Sequence, residues 1–220
     1  KPYTSTDETI FFRGLAAHFQ VKKTSLTLFC SANRIDATVD TSENGSEWFI
    51  RTLQKTGLHN TESALIKKDI VKEYCYGINI SSGFSNLRLG LLLISGRFSI
   101  PVKSDLTDPQ NIYDFEGATY NSLTAYYRAA AGRMVLFGEA SANINRRFAF
   151  VQGFSFRPAD RLTINLLYRD YDPGFKSFHG KGILSSSSGD NLTGIFGNFT
   201  MEAAKYLFVS AGCDLRYHPW

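Results

Sequence analysis

The sequence predicts an all-β fold, and more narrowly an antiparallel transmembrane β-barrel of about ten long strands. Three observations favour this fold. Apolar and polar residues alternate with a period of two along stretches of about nine to twelve residues, the length that a tilted strand needs to cross a bilayer. Short turns alternate with long connections along the chain. Aromatic residues form 14% of the 220 residues and gather where strands meet turns, as rings do at a membrane interface.

The alternation defines the individual strands. It predicts strands at 10–22, 24–34, 73–83, 86–97, 120–130, 133–144, 147–157, 161–171, 191–201 and 205–217. The stretch 161–171 is the clearest case. Its apolar positions, which we expect to face lipid, are Leu162, Ile164, Leu166 and Tyr168. Its polar positions, which we expect to face a lumen, are Thr163, Asn165 and Arg169.

The connections favour a barrel over a soluble β-sandwich. Tight turns are expected near 22–23, 83–86, 131–133, 158–161 and 203–205, whereas 34–72, 98–119 and 172–190 are long links. The link at Asn145-Arg146 is the single short one on the long side. Outer-membrane barrels have this layout, with short periplasmic turns and long outer loops. Charges within the strands fit either a wet lumen or the solvent face of a sandwich, so they leave both folds open.

We expect one domain over 1–220, either a barrel or a segment of one, without a second domain. The longest link, 34–72, is predicted to hold a short helix near 61–72, with Asn60 or Thr61 as its N-cap. Such a helix would either plug a lumen or pack on the barrel mouth, and the second arrangement is favoured.

Several classes of site lack their sequence patterns. No apolar run approaches the ~20 residues of a spanning helix, and the net charge of +4 is too small to indicate nucleic-acid binding. Cys30, Cys75 and Cys213 form no zinc pattern, and one disulfide among them is a minor alternative. The segment 40–47 lacks the spacing of a calcium loop. We therefore expect no catalytic residue, no metal ligand and no cofactor, and the sequence identifies no ligand-binding residue.

Short motifs spread along the chain resemble a known family. They are Phe12-Arg13-Gly14, Gly57-Leu58-His59-Asn60-Thr61 with Lys67-Lys68, Tyr76-Gly77, Phe137-Gly138-Glu139, the run 168–175 with Ser177-Phe178-His179, and His218-Pro219-Trp220. They resemble the C-terminal barrel of large bacterial outer-membrane proteins whose N-terminal part carries helix-hairpin-helix domains. Asn60 departs from the family, which has Arg there, and the Ser-rich loop corresponds to 185–190.

The resemblance implies an outer-membrane location. It also implies a fragment of a longer barrel, since the helix-hairpin-helix region is absent. The start at Lys1 without a leader likewise favours a mature product or a fragment. We expect a non-enzymatic role in passage or anchoring, with outer-membrane lipid and envelope proteins as partners and no nucleic acid bound by this segment. The alternatives are a soluble all-β ligand-binding or glycan-binding domain and an outer-membrane hydrolase using His59 and His179.

Overall fold

The computed structural model describes residues 11–42, 45–54, 59–105, 107–180 and 191–220. Strands account for 69% of the described residues, which confirms the all-β prediction. The strands are β1 (Gly14–Val21), β2 (Thr24–Ile35), β3 (Ala37–Thr41), β4 (Trp48–Leu53), β5 (Val71–Phe84), β6 (Leu87–Val102), β7 (Gly117–Ala131), β8 (Met134–Asn143), β9 (Phe148–Ala159), β10 (Leu162–Tyr171), β11 (Leu192–Ala204) and β12 (Leu207–Tyr217).

All ten predicted strands are present, and they follow one another in the sheet. The strand order is β1-β2-β5-β6-β7-β8-β9-β10-β11-β12, and the registers from β7 to β12 are antiparallel. The largest difference from the prediction is at the end of β6, which runs to Val102 rather than to 97. Near this point the apolar positions change face, from the odd-numbered Leu89, Leu91 and Leu93 to the even-numbered Phe98, Ile100 and Val102, so the pattern of the first face stops before the strand does.

The short turns join neighbouring strands as predicted. Two residues connect β1 to β2, β5 to β6, β7 to β8, β9 to β10 and β11 to β12. Four of these turns contain a left-handed residue, namely Lys22 (φ 53°), Ser85 (φ 45°), Gly132 (φ 55°) and Tyr206 (φ 68°). Positive φ in a two-residue hairpin gives the backbone the twist of the flanking strands, which favours tight antiparallel pairing.

The link at 34–72 contains more structure than predicted. β3 and β4 form an antiparallel hairpin, and β4 touches β6 through one parallel bridge, Ile50 to Val102. The helix α1 is only Glu62–Ile66, so the prediction of a helix near 61–72 was too long. Thr61 is the N-cap and accepts a hydrogen bond from the Ala64 N–H at 3.2 Å. The helix cannot continue because Asp69 adopts a left-handed conformation (φ 54°) and β5 begins at Val71.

The chain divides into two compact units. Unit 1 comprises the described parts of 1–17, 27–78 and 94–121, and unit 2 comprises 18–26, 79–93 and the described parts of 122–220. In unit 1 the buried apolar side chains include Ile35, Ile50, Val71 and Phe98. In unit 2 a small core contains Ala149, Tyr171, Phe175 and Leu192. The expectation of one domain over 1–220 stays a prediction. Among the described residues, no helix combines the length and apolarity needed to cross a membrane.

Candidate functional site

One face of the sheet in unit 2 is apolar and exposed. The registers place residues of like character side by side, so that Leu166 lies between Phe154 of β9 and Gly197 of β11. Leu166 is 49% exposed and Ile195 is 54% exposed. The other exposed members of this face are Ile80, Leu89, Leu91, Leu93, Leu123, Leu136, Phe148, Phe150, Tyr168, Phe199, Met201, Val209 and Leu215.

The opposite face of unit 2 is polar and less accessible. Arg169 is only 2% exposed and Thr124 is 6% exposed. Cross-strand hydrogen bonds join polar partners here. The Thr124 and Ser141 hydroxyls are 2.7 Å apart, and Asn165 Nδ2 donates to Asn198 Oδ1 at 3.0 Å. These bonds satisfy polar groups that would otherwise be costly to bury.

Unit 1 shows the same distribution along β5. Val71, Glu73, Cys75 and Gly77 are buried, whereas the residues between them are exposed. The exposed residues are Lys72, Tyr74, Tyr76 and Ile78. The face that holds a carboxylate is therefore the buried one, and the face that holds two aromatic rings is the accessible one.

This distribution is the reverse of that in a soluble β-sheet. A soluble sheet packs its apolar face on a core and leaves its polar face in water. Contiguous exposed apolar surface of this extent is rare on soluble monomers. The assignment of Leu166 and Tyr168 to one face and of Arg169 to the other agrees with the observed alternation, while Leu162 and Ile164 share the apolar face and are half-buried.

Long side chains cross glycines on the more buried face. Tyr126 of β7 lies across Gly90 of β6, where an added Cβ would fall 2.2 Å from the ring. The Tyr126 hydroxyl then donates to Asn79 Oδ1 of β5 at 2.9 Å. The glycine therefore leaves the space that lets one side chain tie three strands together.

The same crossing recurs six residues along each of these strands, within unit 1. Tyr120 of β7 lies across Gly96 of β6, and its hydroxyl donates to Glu73 Oε1 of β5 at 2.6 Å. Buried tyrosine hydroxyls need such a partner. The regular repeat fixes the register of β5, β6 and β7.

Two further crossings lie in unit 2. On the apolar face, Tyr127 of β7 packs against Gly138 of β8, and its hydroxyl donates to Gln152 Oε1 of β9 at 2.6 Å. On the polar face, Arg169 of β10 passes Gly194 of β11, where an added Cβ would lie 3.1 Å from Nε, and pairs with Asp214 of β12.

Asp214 is shared by two arginines. The Arg216 guanidinium donates to Asp214 Oδ2 from Nε at 2.8 Å and from Nη2 at 2.6 Å, while Arg169 contacts Oδ1. A fork-shaped guanidinium suits a carboxylate in this way. Of the charges within the strands, Arg169 and Asp214 are thus paired across strands.

A buried carboxylate fastens the segment before β5 in unit 1. Asp36, at the junction of β2 and β3, has a side chain only 5% exposed. Its Oδ2 lies 2.6 Å from His59 Nε2, and its Oδ1 accepts the Asp69 N–H at 2.9 Å. We call this arrangement the Asp36 clamp. The two bonds reach both sides of α1, so the clamp holds the helix-bearing segment against the sheet.

The connection between β6 and β7, also in unit 1, is polar. It carries a short 3₁₀ helix at Pro109–Asn111. Asp105 accepts hydrogen bonds from the Thr107 hydroxyl at 2.5 Å and from the Thr107 N–H at 3.1 Å. These two bonds, the hydroxyl first, lower the pKa of the exposed Asp105 carboxyl.

The two histidines of the hydrolase alternative belong to different units. His59 pairs with Asp36, and His179 lies in unit 2 between β10 and β11. In the described residues no three His, Cys, Asp or Glu side chains come close enough to hold a metal ion. Cys30, Cys75 and Cys213 form no disulfide, so that alternative was wrong. The residues 43–44, 57–58 and 185–190 of the sequence motifs lie outside the described residues.

The sequence reasoning missed the glycine crossings and the clamp. Six-residue spacing of Tyr120 with Tyr126, and of Gly90 with Gly96, is a signal that could have revealed the crossings. The clamp has no such signal, because Asp36 and His59 meet only through the path of the intervening hairpin.

Comparisons with known proteins give no match. Neither a family model, nor a curated protein, nor a solved structure matches the chain. The resemblance to helix-hairpin-helix outer-membrane proteins therefore stays a prediction.

Proposed function

We propose that the chain forms a transmembrane β-barrel, or a segment of one, in the outer membrane of a Gram-negative bacterium, where it acts without catalysis in passage or anchoring. The observation that carries the proposal is the reversed polarity of the sheet. Exposed leucine, isoleucine and phenylalanine side chains are stable in contact with lipid and unfavourable in contact with water. A buried polar face suits a lumen that contains water.

The layout of the connections supports the same proposal. Five two-residue turns lie at one end of the ten-strand path, and the longer connections lie at the other. Bacterial barrels have an even number of strands with short turns on one side and long loops on the other. With ten antiparallel strands, β1 and β12 run in opposite directions.

The two edge strands, β1 and β12, need pairing partners if the chain lies in a membrane. Every residue of β1 is exposed, and so is every residue of β12 except Asp214. Backbone N–H and C=O groups cannot remain unpaired in lipid. In the membrane, β1 and β12 therefore pair with each other or with further strands of a larger barrel.

A soluble all-β binding domain is the competing function. It would require a partner that covers most of the apolar face, because the described core of unit 2 is small. For a hydrolase, His59 is already engaged by Asp36. Neither alternative accounts for the exposed face.

Fractionation of the source cell envelope tests the proposal. The polypeptide that contains this sequence should be found in the outer-membrane fraction and should resist alkaline extraction. In the same cells, Leu91→Arg and Leu166→Arg should each reduce assembly, since Arg at the midplane of a barrel costs roughly 2–4 kcal/mol.

The matched control is Thr163→Arg. Thr163 lies on the polar face and pairs with Thr200, so an arginine there can reach water in a lumen. We expect this variant to assemble better than Leu166→Arg. Recovery of the wild-type polypeptide in the soluble fraction, or wild-type assembly of both leucine variants, would refute the proposal.

A further inference from the structure

Three basic side chains stand together on the exposed face of unit 1. Arg34 of β2, Lys72 of β5 and Arg97 of β6 each occupy an exposed position between two buried ones. The sheet order makes β2, β5 and β6 consecutive neighbours. We call these three residues the basic patch.

Contacts between the strands place the three residues of the patch at similar positions along β2, β5 and β6. The Lys72 N–H donates to Ser99 Oγ at 3.1 Å, which aligns β5 with β6 and places Arg97 next to Tyr74. Between β2 and β5, the Phe29 ring lies across Gly77, and the Ala37 N–H donates to the Lys67 carbonyl at 3.0 Å. These two contacts bracket Arg34 and Lys72, which therefore lie close together.

The patch borders the exposed aromatic and apolar part of the same face. Along β5, Lys72 is followed on this face by Tyr74, Tyr76 and Ile78. In a membrane protein, tyrosines mark the level of the headgroups, and lysine and arginine reach outward from the edge of the hydrocarbon. The order of charge, aromatic ring and aliphatic side chain matches the order of phosphate, glycerol and acyl chain in a phospholipid.

Within the described part of the chain, no carboxylate is paired with the patch. Among the residues that the structure describes, the three side chains form no ion pair or hydrogen bond. The nearby carboxylates, Asp36 and Glu73, are buried and are bound by His59 and Tyr120. Like charges side by side on neighbouring strands are unfavourable unless a counter-charge joins them.

We propose that Arg34, Lys72 and Arg97 bind the phosphate of an anionic membrane lipid whose acyl chains lie along Tyr74, Tyr76 and Ile78 of β5. This inference rests on the proposed membrane location and goes beyond it by naming a ligand class and its residues. Three cations around one phosphate provide charge-assisted hydrogen bonds, and arginine is well suited to a phosphate because its donors are arranged as a fork.

Native mass spectrometry of the detergent-solubilised protein tests the proposal. The purified polypeptide, after delipidation, is titrated with phosphatidylglycerol and separately with phosphatidylcholine. We expect tighter binding of phosphatidylglycerol, weakened by added salt. Arg34→Gln, Lys72→Gln and Arg97→Gln should each weaken this binding about fivefold, and the triple variant about a hundredfold, with phosphatidylcholine unchanged.

Arg88→Gln is the matched control, since it removes one positive charge from β6, the strand that carries Arg97. Arg88 alternates with Leu87 and Leu89, so it belongs to the other face of β6, at the turn end. Its phosphatidylglycerol binding should equal that of the wild type. Wild-type binding by the triple variant, or an equal loss in Arg88→Gln, would overturn the proposal. Full displacement by inorganic phosphate would overturn the assignment to a lipid.

The two proposals fail in different ways. A polypeptide recovered in the soluble fraction defeats the membrane location, and the lipid site with it. A polypeptide integrated in the outer membrane that binds phosphatidylglycerol and phosphatidylcholine equally defeats only the lipid site.

Discussion

Removing the Asp36 carboxylate should release the segment between β4 and β5 without unfolding the sheet. The Asp36→Ala variant loses the bond to His59 Nε2 at 2.6 Å and the bond from the Asp69 N–H at 2.9 Å. The Asp36 side chain is 5% exposed and that of His59 is 19% exposed, so water replaces these bonds poorly. The segment also keeps few other anchors, because α1 has no buried residue.

The structure sets the size of the effect. A hydrogen bond to a charged group contributes about 1.5–3 kcal/mol. Loss of both bonds should therefore lower the free energy of local opening by at least about 3 kcal/mol. Because each 1.36 kcal/mol is a factor of ten, amide exchange in 59–70 should become about 150 times faster.

Hydrogen–deuterium exchange with mass spectrometry measures this change peptide by peptide. Asp40→Ala is the control, since the Asp40 carboxylate is exposed and forms a long surface ion pair with Arg51, at 3.9 Å. Such pairs contribute about 0–1 kcal/mol, so exchange should change little. Equal exchange of 59–70 in the two variants would refute the clamp. Exchange in β7–β12 should stay as in the wild type, which separates local release from global unfolding.

Two further predictions concern a glycine crossing and a loop carboxylate. Gly90→Ala should lower the free energy of unfolding in urea by about 1–3 kcal/mol, because the new Cβ would lie 2.2 Å from the Tyr126 ring. The control Gly83→Ala, whose new Cβ would have its nearest atom at 3.9 Å, should change this free energy little. Equal urea midpoints of the two variants would contradict the crossing. Thr107→Val should raise the Asp105 pKa toward its ordinary value in an NMR titration, because the hydroxyl donor is lost while the Thr107 N–H remains; an unchanged pKa would contradict the assigned cause.

The ten long strands could be predicted because successive side chains of a strand point to opposite faces, and the two faces of this sheet meet different environments. A residue such as Leu166 must meet an apolar medium, and Arg169 on the other face of the same strand a polar one, whichever fold the chain adopts. Period-two alternation therefore identifies strands, while it leaves open whether the apolar medium is a core or a lipid. The exposure of Leu166 and the burial of Arg169 are the observations on which the proposed membrane location rests.

The β3–β4 hairpin was missed because its strands are short and each carries few residues of regular alternation. Ala37–Thr41 has five residues and Trp48–Leu53 has six. The intervening sequence holds Asn44-Gly45, a dipeptide that favours hairpin turns. Without a long alternating pattern on either side, the dipeptide alone did not indicate two strands. In the structure the hairpin is held by its own antiparallel pairing and joins β6 through the Ile50 to Val102 bridge.

The crossings explain why a strand of this sheet can carry charges and glycines together. Arg169 pairs with Asp214 two strands away, and it can do so because the middle strand offers Gly194. The tyrosines reach Asn79 and Glu73 past Gly90 and Gly96 in the same manner. Glycine weakens a strand by itself, since it has no side chain to pack. In this sheet its cost is offset by the hydrogen bond that it admits. Each such glycine is thus tied to a polar residue one strand away on either side, and register errors that separate the three would leave a polar group unsatisfied.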